Sequence, residues 1–375
     1  MHTLQLGSGW FQETPGGLER VYEALFRYLP HCGVSCYGIV LARTVPSSHH
    51  RLVVAGAPID PLWQRWRGMR RVVRELRQQT SFDLVAAHFA LYAFPVLDLI
   101  RDLPLVVHFH GPWAWEGREE ARPGMQMRIK AWLERQVYRR AARYVVLSEA
   151  FGHELVERYR VDPACVRVVP GGVEAERFAL DVTRQEARER LGWPLNRPIV
   201  LSVRRLVRRM GLKQLIEAMV LVRQQVPEAL LLIAGRGPLA EGLQAQIEAQ
   251  QLRQHVRLLG FLSEELLPWA YRAADLTIVP TVALEGFGLI TLESLAAGTP
   301  VLVTPVGGLP EAVRGLSASL VLEAATKEAL AAGLIEALTG QRSLPAPEAC
   351  QAYVRAHFDW PVIARKVKAV YAEVL

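Results

Sequence analysis

The sequence predicts an α/β protein made of two Rossmann-like domains, each a mostly parallel sheet covered by helices, facing one another across a cleft. Three observations carry this expectation. Short apolar runs alternate with longer helical stretches along the whole chain, which is the signature of βαβ units. A length of 375 residues corresponds to about two domains at roughly 150 residues each. Strand continuity fails near residues 178–198, a polar stretch holding Gly192, Pro194 and Pro198, residue types that interrupt regular structure.

Taken in order, the strand candidates of the first half are 2–6, 35–41, 84–87, 105–109, 144–147 and 166–169. Those of the second half are 199–203, 230–234, 256–259, 276–279 and 301–304. The expected domains are therefore 1–178 and 199–355. Residues 356–375 read as the end of a terminal helix anchored by Phe358, Trp360 and Tyr371. That helix either stays on its own domain or packs back on the first; the second arrangement is adopted.

Composition narrows the function classes. With 51% hydrophobic and 22% charged residues, the chain has the make-up of a soluble enzyme with ample core. The net charge of +7 favours anionic partners such as phosphorylated ligands, nucleic acid or an acidic membrane surface. Cys32, Cys36, Cys165 and Cys350 form no zinc-like spacing, and they fit reduced thiols in the cytoplasm. The first residues read as a strand rather than a signal peptide. No uncharged apolar run reaches the ~18 residues of a membrane span. The expected location is cytoplasmic, with peripheral contact to the inner face of the membrane left open.

Five motifs carry chemistry. The first runs from Glu285 through Gly286, Phe287 and Gly288 to Leu289, Leu292 and Glu293. A helix starting near 287–288 would point its free N–H groups and positive dipole end at an anion. The glycines let a diphosphate come close. If the stretch were helical throughout, the two glutamates would lie roughly 12 Å apart at ~1.5 Å per residue, one for each hydroxyl-bearing end of an extended ligand. A second motif, the arginine cluster from Arg204 to Arg209, leaves the strand at 199–203. Arginines there face the crevice of an open α/β sheet and can neutralise a diphosphate. The cluster lies outside any nucleic-acid module, so no nucleic-acid partner is expected.

The other three are loops at strand ends. Gly235 to Ala240 matches a dinucleotide fingerprint, but no acidic residue closes the next strand. A turn shaping a nucleotide pocket is the preferred reading, and an NAD-dependent oxidoreductase the alternative. Gly16-Gly17 precedes a helix in the first loop, where it can admit a phosphate or an acceptor. His108 and His110 share a face at the end of 105–109, with His110 nearer the crevice; His88, at the end of 84–87, is a further acceptor-side candidate. No third ligand accompanies the histidines and no Asp-x-Asp pair occurs, so neither a metal nor a resident cofactor is expected.

These residues together resemble the retaining glycosyltransferases of family 4, which have the GT-B fold. The resemblance covers nearly the whole chain: Gly16-Gly17, Phe109-His110-Gly111, Val168 to Val173, the arginine loop, Gly235 to Pro238, Leu259-Gly260-Phe261, and the Glu-x7-Glu motif Glu285 to Glu293. It implies that Glu293 binds the donor ribose and Glu285 the donor sugar. It implies backbone N–H groups of Phe287, Gly288 and Leu289 on the diphosphate, Arg205 on a phosphate and His110 beside the reacting carbon. Gly17, Gly235 and Gly260 would line the donor site; Gly16 and His88 stay on the acceptor side. The chain departs from the family at Met210, where a lysine is usual. Arg209 is expected to replace its charge. The implied reaction transfers a hexose from a UDP- or GDP-sugar to a hydroxyl of a lipid-linked, polysaccharide or small-molecule acceptor, with retention and without metal. The loss of the lysine keeps a non-catalytic sugar-nucleotide binder as another alternative.

Two basic helical stretches, 63–77 with Trp63 and Trp66, and 128–143, lie in the first half. They either dock on an anionic bilayer or combine a core-facing stripe with a solvated basic face.

Overall fold

The computed structural model describes residues 1–14, 16–44, 50–115 and 124–375. The chain divides into two compact units, Met1–Gly172 with Trp360–Leu375, and Val173–Asp359.

The first unit holds seven strands: β1 His2–Gly9, β2 Ser35–Leu41, β3 Leu52–Gly56, β4 Leu84–Ala87, β5 Leu105–Phe109, β6 Ala141–Val146 and β7 Val166–Val168. They form one parallel sheet in the order β3-β2-β1-β4-β5-β6-β7. A parallel sheet is covered on both faces, so its inner strands are largely apolar; every residue of β4 and β5 is buried. Alternate residues Leu4, Leu6, Ile39 and Leu41 pack in one core with Met69, Val72, Val73 and Leu76 of the helix Leu62–Gln79. Gly68 lets that helix lie close: a Cβ there would sit 1.7 Å from the Ala55 carbonyl oxygen. The edge strand β3 was not expected from the sequence. It pairs only with β2 and is partly exposed, so its apolar run is short.

The second unit has five strands: β8 Ile199–Val203, β9 Leu230–Ala234, β10 Val256–Gly260, β11 Leu276–Val279 and β12 Val301–Val303. They run parallel in the order β10-β9-β8-β11-β12. This unit is wider than the expected 199–355. Much of the stretch read as a break is the helix Arg184–Leu191, opened by a Thr183–Glu186 capping box and closed by Gly192 at φ +64°. Its Arg188 is buried and ion-pairs with Asp275 at 2.6 Å. A buried, multiply bonded arginine makes this segment part of the unit.

The expected terminal helix is split. Pro347–His357 stays with the second unit, whereas Trp360–Ala372 belongs to the first. There the Trp360 ring stacks on Tyr28 at 6.5 Å, and Glu373 ion-pairs with Arg143 and Arg167, each at 2.8 Å. Among the described residues no helix is long and apolar enough to cross a membrane.

Candidate functional site

In the second unit β8 and β11 are neighbours, while the chain leaves them for opposite sides of the sheet. Such a switch point opens a crevice beyond the strands' C-terminal ends. The arginine loop follows β8 and the Glu285–Glu293 segment follows β11. Arg204, 9% exposed, turns its guanidinium onto the Glu285 carboxylate and the Thr281 hydroxyl. The Thr281 hydroxyl in turn donates to Glu285 at 3.2 Å. Burial pushes the Glu285 carboxyl up, but the Arg204 charge and hydrogen bond, with Arg209 and Thr281, hold it below the usual carboxylate range. Glu285 is thus a charged acceptor in a half-buried place.

Arg209 is also buried. It donates to the Leu284 carbonyl at 2.7 Å, and its own carbonyl accepts from Val282 N–H at 2.9 Å. Leu284 has φ +51°, a conformation disfavoured for a branched side chain, so Arg209 braces the turn that delivers Glu285. Arg205 is exposed, and no protein group among the described residues pairs with its guanidinium.

Glu285 to Gly288 is not helical; the helix spans Leu289–Ala296. The separation expected for a continuous helix therefore does not apply. Gly288 caps this helix at φ +77° without a side-chain hydrogen bond, and a Cβ there would lie 2.5 Å from Leu309. The first-turn amides of a helix have no carbonyl partners within it, and the positive dipole end adds to them. Phe287 is buried against the Phe358 ring at 5.6 Å. Glu293 is 3% exposed and accepts from the Tyr271 hydroxyl at 2.9 Å. Gly235, at φ +145°, allows its N–H to reach the Gly260 carbonyl at 2.7 Å. A Cβ on Gly235 would stand 1.8 Å from the Arg204 carbonyl oxygen. The fold thus gathers Arg204, Gly235 and Gly260 at one sheet edge, with Glu285 on Arg204. Arg204 is the residue the sequence reading missed as a site member. Its one signal was its place directly after β8, shared almost equally by Arg205.

In the first unit the chemistry-bearing residues follow β1, β4 and β5, which are adjacent. Gly16 is the N-cap of the helix Gly17–Tyr28, and the space beside Gly17 is open. His88 is only 2% exposed. It lies between the rings of Tyr22, His108 and His110, at centroid distances of 5.0, 4.2 and 5.6 Å. The expectation of an acceptor contact at His88 is corrected: the side chain is enclosed by its own unit. His108 is buried and lies 2.8 Å from the Tyr371 hydroxyl, while His110 is half-buried. Burial drives all three imidazoles toward the neutral form, His110 down to about 4 and His108 to about 3.

Close to the loop after β5, Glu134 is 1% exposed. It accepts from the hydroxyls of Tyr159 and Tyr138 and from Ala114 N–H. Burial pushes its carboxyl up to about 7. The two basic stretches have buried and exposed faces. Met69, Val72 and Val73 face the core, while Trp63, Ile129 and Trp132 are exposed, with Arg67 over the Trp63 ring at 5.0 Å.

Residues 183–357 match the family model described as Glycosyl transferases group 1, and residues 15–177 match the one described as Glycosyltransferase Family 4. A D-inositol 3-phosphate glycosyltransferase from Jonesia denitrificans is 32% identical over 79% of this chain and 72% of its own length. One from Corynebacterium jeikeium is 32% identical over 65% of this chain. A GDP-mannose-dependent alpha-(1-6)-phosphatidylinositol monomannoside mannosyltransferase from Mycobacterium tuberculosis is 32% identical over 54% of this chain. The chain spans 61% and 55% of the length of these last two. Among solved structures, sucrose-phosphate synthase from Thermosynechococcus elongatus superposes with a TM-score of 0.80 at 21% identity, covering 100% of this chain and 98% of its own. Anabaena HepE in complex with UDP and glucose gives 0.80 at 21% identity, covering 100% of both chains. The fold is GT-B. With both halves matched by its models and the Glu-x7-Glu pair at the switch point of the second sheet, the chain belongs to glycosyltransferase family 4.

Proposed function

We propose that the protein is a retaining, metal-independent glycosyltransferase. It moves a hexose from a UDP- or GDP-sugar to a hydroxyl of a lipid-linked, polysaccharide or small-molecule acceptor. One observation carries this reading: an ionised Glu285, held by Arg204, stands at the second sheet's switch point beside an uncapped helix start, with Glu293 on that helix.

The diphosphate lies on the amides of Phe287, Gly288 and Leu289, and the open guanidinium of Arg205 pairs with a phosphate. Glu293, steadied by Tyr271, takes the ribose hydroxyls in the pocket shaped by Gly235 and Gly260. Glu285 accepts from the hexose, and His110 serves the same sugar. Arg204 and Arg209 supply positive charge around Glu285; Arg209 does so while bracing Leu284 rather than as a mobile substitute for a lysine. Arginines and the helix end take the role a metal would otherwise have. In the transfer the bond from the anomeric carbon to the diphosphate oxygen breaks. The acceptor oxygen bonds to that carbon on the same face, and its proton passes to the departing diphosphate.

Two relatives support the choice of nucleotides: HepE was solved with UDP and glucose, and the Mycobacterium tuberculosis mannosyltransferase is named for GDP-mannose. The exposed tryptophans among arginines support an anionic bilayer as the surface that presents a lipid-linked acceptor. The free cysteines agree with the cytoplasmic side. Thermal shift with UDP, GDP and NAD, followed by release of UDP or GDP from donor sugars in EDTA, tests the reading. Stabilisation by UDP or GDP and undiminished turnover in EDTA are expected. Stabilisation by NAD alone would overturn it. Glu293→Ala should weaken donor binding, and Glu285→Ala should chiefly lower turnover.

A further inference from the structure

Gln5, His88 and His110 form a chain of polar contacts in the first unit whose proton positions can be read in order. The Thr3 hydroxyl lies 3.4 Å from the Ser35 carbonyl, to which it donates. It therefore accepts from the Gln5 amide nitrogen at 2.9 Å, which turns the Gln5 carbonyl oxygen toward His88. That oxygen lies 3.1 Å from His88 Nε2. A carbonyl oxygen only accepts, so His88 Nε2 carries the proton. Burial keeps His88 neutral, so its Nδ1 is bare. His110 Nε2 lies 3.4 Å from that bare nitrogen and must be the donor. In a neutral His110 this leaves Nδ1 as the ring's acceptor.

We infer that His88 is a positioning residue: with Gln5 and Thr3 it locks His110 in the Nε2-protonated form, so that His110 offers an acceptor nitrogen to a donor-sugar hydroxyl. The inference rests on the reading of His110 as a group at the donor sugar. The partner that orients a histidine sets which ring nitrogen is available. It does so here through an uncharged chain, with no carboxylate in the three contacts. His108 stacks on His88 and bonds to the Tyr371 hydroxyl, which also lies 3.4 Å from the nitrogen and the oxygen of the Gln5 amide.

The test has a spectroscopic and a kinetic arm, both on the full chain. Long-range proton–nitrogen correlation on 15N-histidine protein at neutral pH, with His110 assigned from His110→Gln, should show His110 as the single Nε2–H form. Finding it as the Nδ1–H form, or as a tautomer mixture, overturns the inference without any variant at His88. For kinetics, Asn places its oxygen where His88 Nδ1 is and keeps the acceptor, whereas Gln reproduces the Nε2 end and loses it. His88→Gln should lower kcat by about 10- to 100-fold, the range for losing the partner that orients a metal-bound histidine, with donor KM little changed. His88→Asn should recover most of that loss. Equal kcat for two variants with wild-type melting temperatures overturns the proposal. Full turnover in His110→Ala would instead sink the role given to His110, and the tautomer assignment would still stand or fall by the spectrum.

Discussion

Removing the Arg204 guanidinium would leave Glu285 charged and half-buried with only Thr281 and the more distant Arg209 to offset it. Breaking one side of such a pair costs about 3–5 kcal/mol. Arg204→Met is therefore expected to destabilise the second unit by about that much in chemical denaturation, and Glu285→Gln in the same background should recover part of it. An unchanged midpoint in Arg204→Met would refute the pairing. Glu134 makes a pH prediction. Its carboxyl is pushed up to about 7 from an ordinary 4.5, so the folded state keeps a proton that the unfolded state releases between those values. Stability from this group is full below about pH 4.5 and declines as pH rises to about 7, by roughly 3 kcal/mol in all. Urea midpoints measured at pH 5 and pH 8 should show the decline, and Glu134→Gln should flatten it. At this scale the helix start at Gly288 was legible, because a glycine followed by an apolar helical face points to one. Arg204 and His88 were not. Adjacent arginines differ only in which way the strand releases them, and a histidine at a strand end carries no mark of whether its neighbours enclose it.

Six interior strands, β2, β4, β5, β8, β9 and β11, were read with their bounds intact, whereas the interior strands β1 and β6 are His2–Gly9 and Ala141–Val146 rather than 2–6 and 144–147. Inner parallel strands are buried on both faces, so their apolar runs stop where burial stops. The edge strand β3 and the capped helix Arg184–Leu191 escaped because neither needs such a run. One has a single partner strand; the other is held by a capping box and one buried arginine. The helix Leu289–Ala296 was recognised, but its start came one or two residues late, since Gly288 adopts a left-handed turn. That turn makes a prediction for the element. Gly288→Ala forces a Cβ against Leu309 in a backbone region costing about 1–2 kcal/mol for other residues. The variant should melt lower and bind UDP or GDP more weakly, as read by thermal shift with and without nucleotide. Undiminished nucleotide stabilisation would show that the helix tip is not the anion site.

The molecule as a whole should not melt in a single step, because two compact units with separate cores need not unfold together. Calorimetry is expected to resolve two transitions. Tyr371→Phe should lower only the one belonging to the first unit, by about 1 kcal/mol for a buried hydrogen bond to His108. That the chain would form two α/β halves was legible in its strand series. The owner of its last helix was expected to be the first half, and Trp360–Leu375 does belong to the first unit, but the break between residues 357 and 360 was not foreseen, since Phe358 and Trp360 read as anchors of one helix. The ownership observed has a consequence for biosynthesis. The second unit is one unbroken stretch set into the first, so it can close on its own residues alone. The first unit cannot: Gln5 and His108 emerge from the ribosome long before the hydroxyl that meets them. The early-made sheet of the first unit therefore waits through the synthesis of the whole second unit for the helix that completes it.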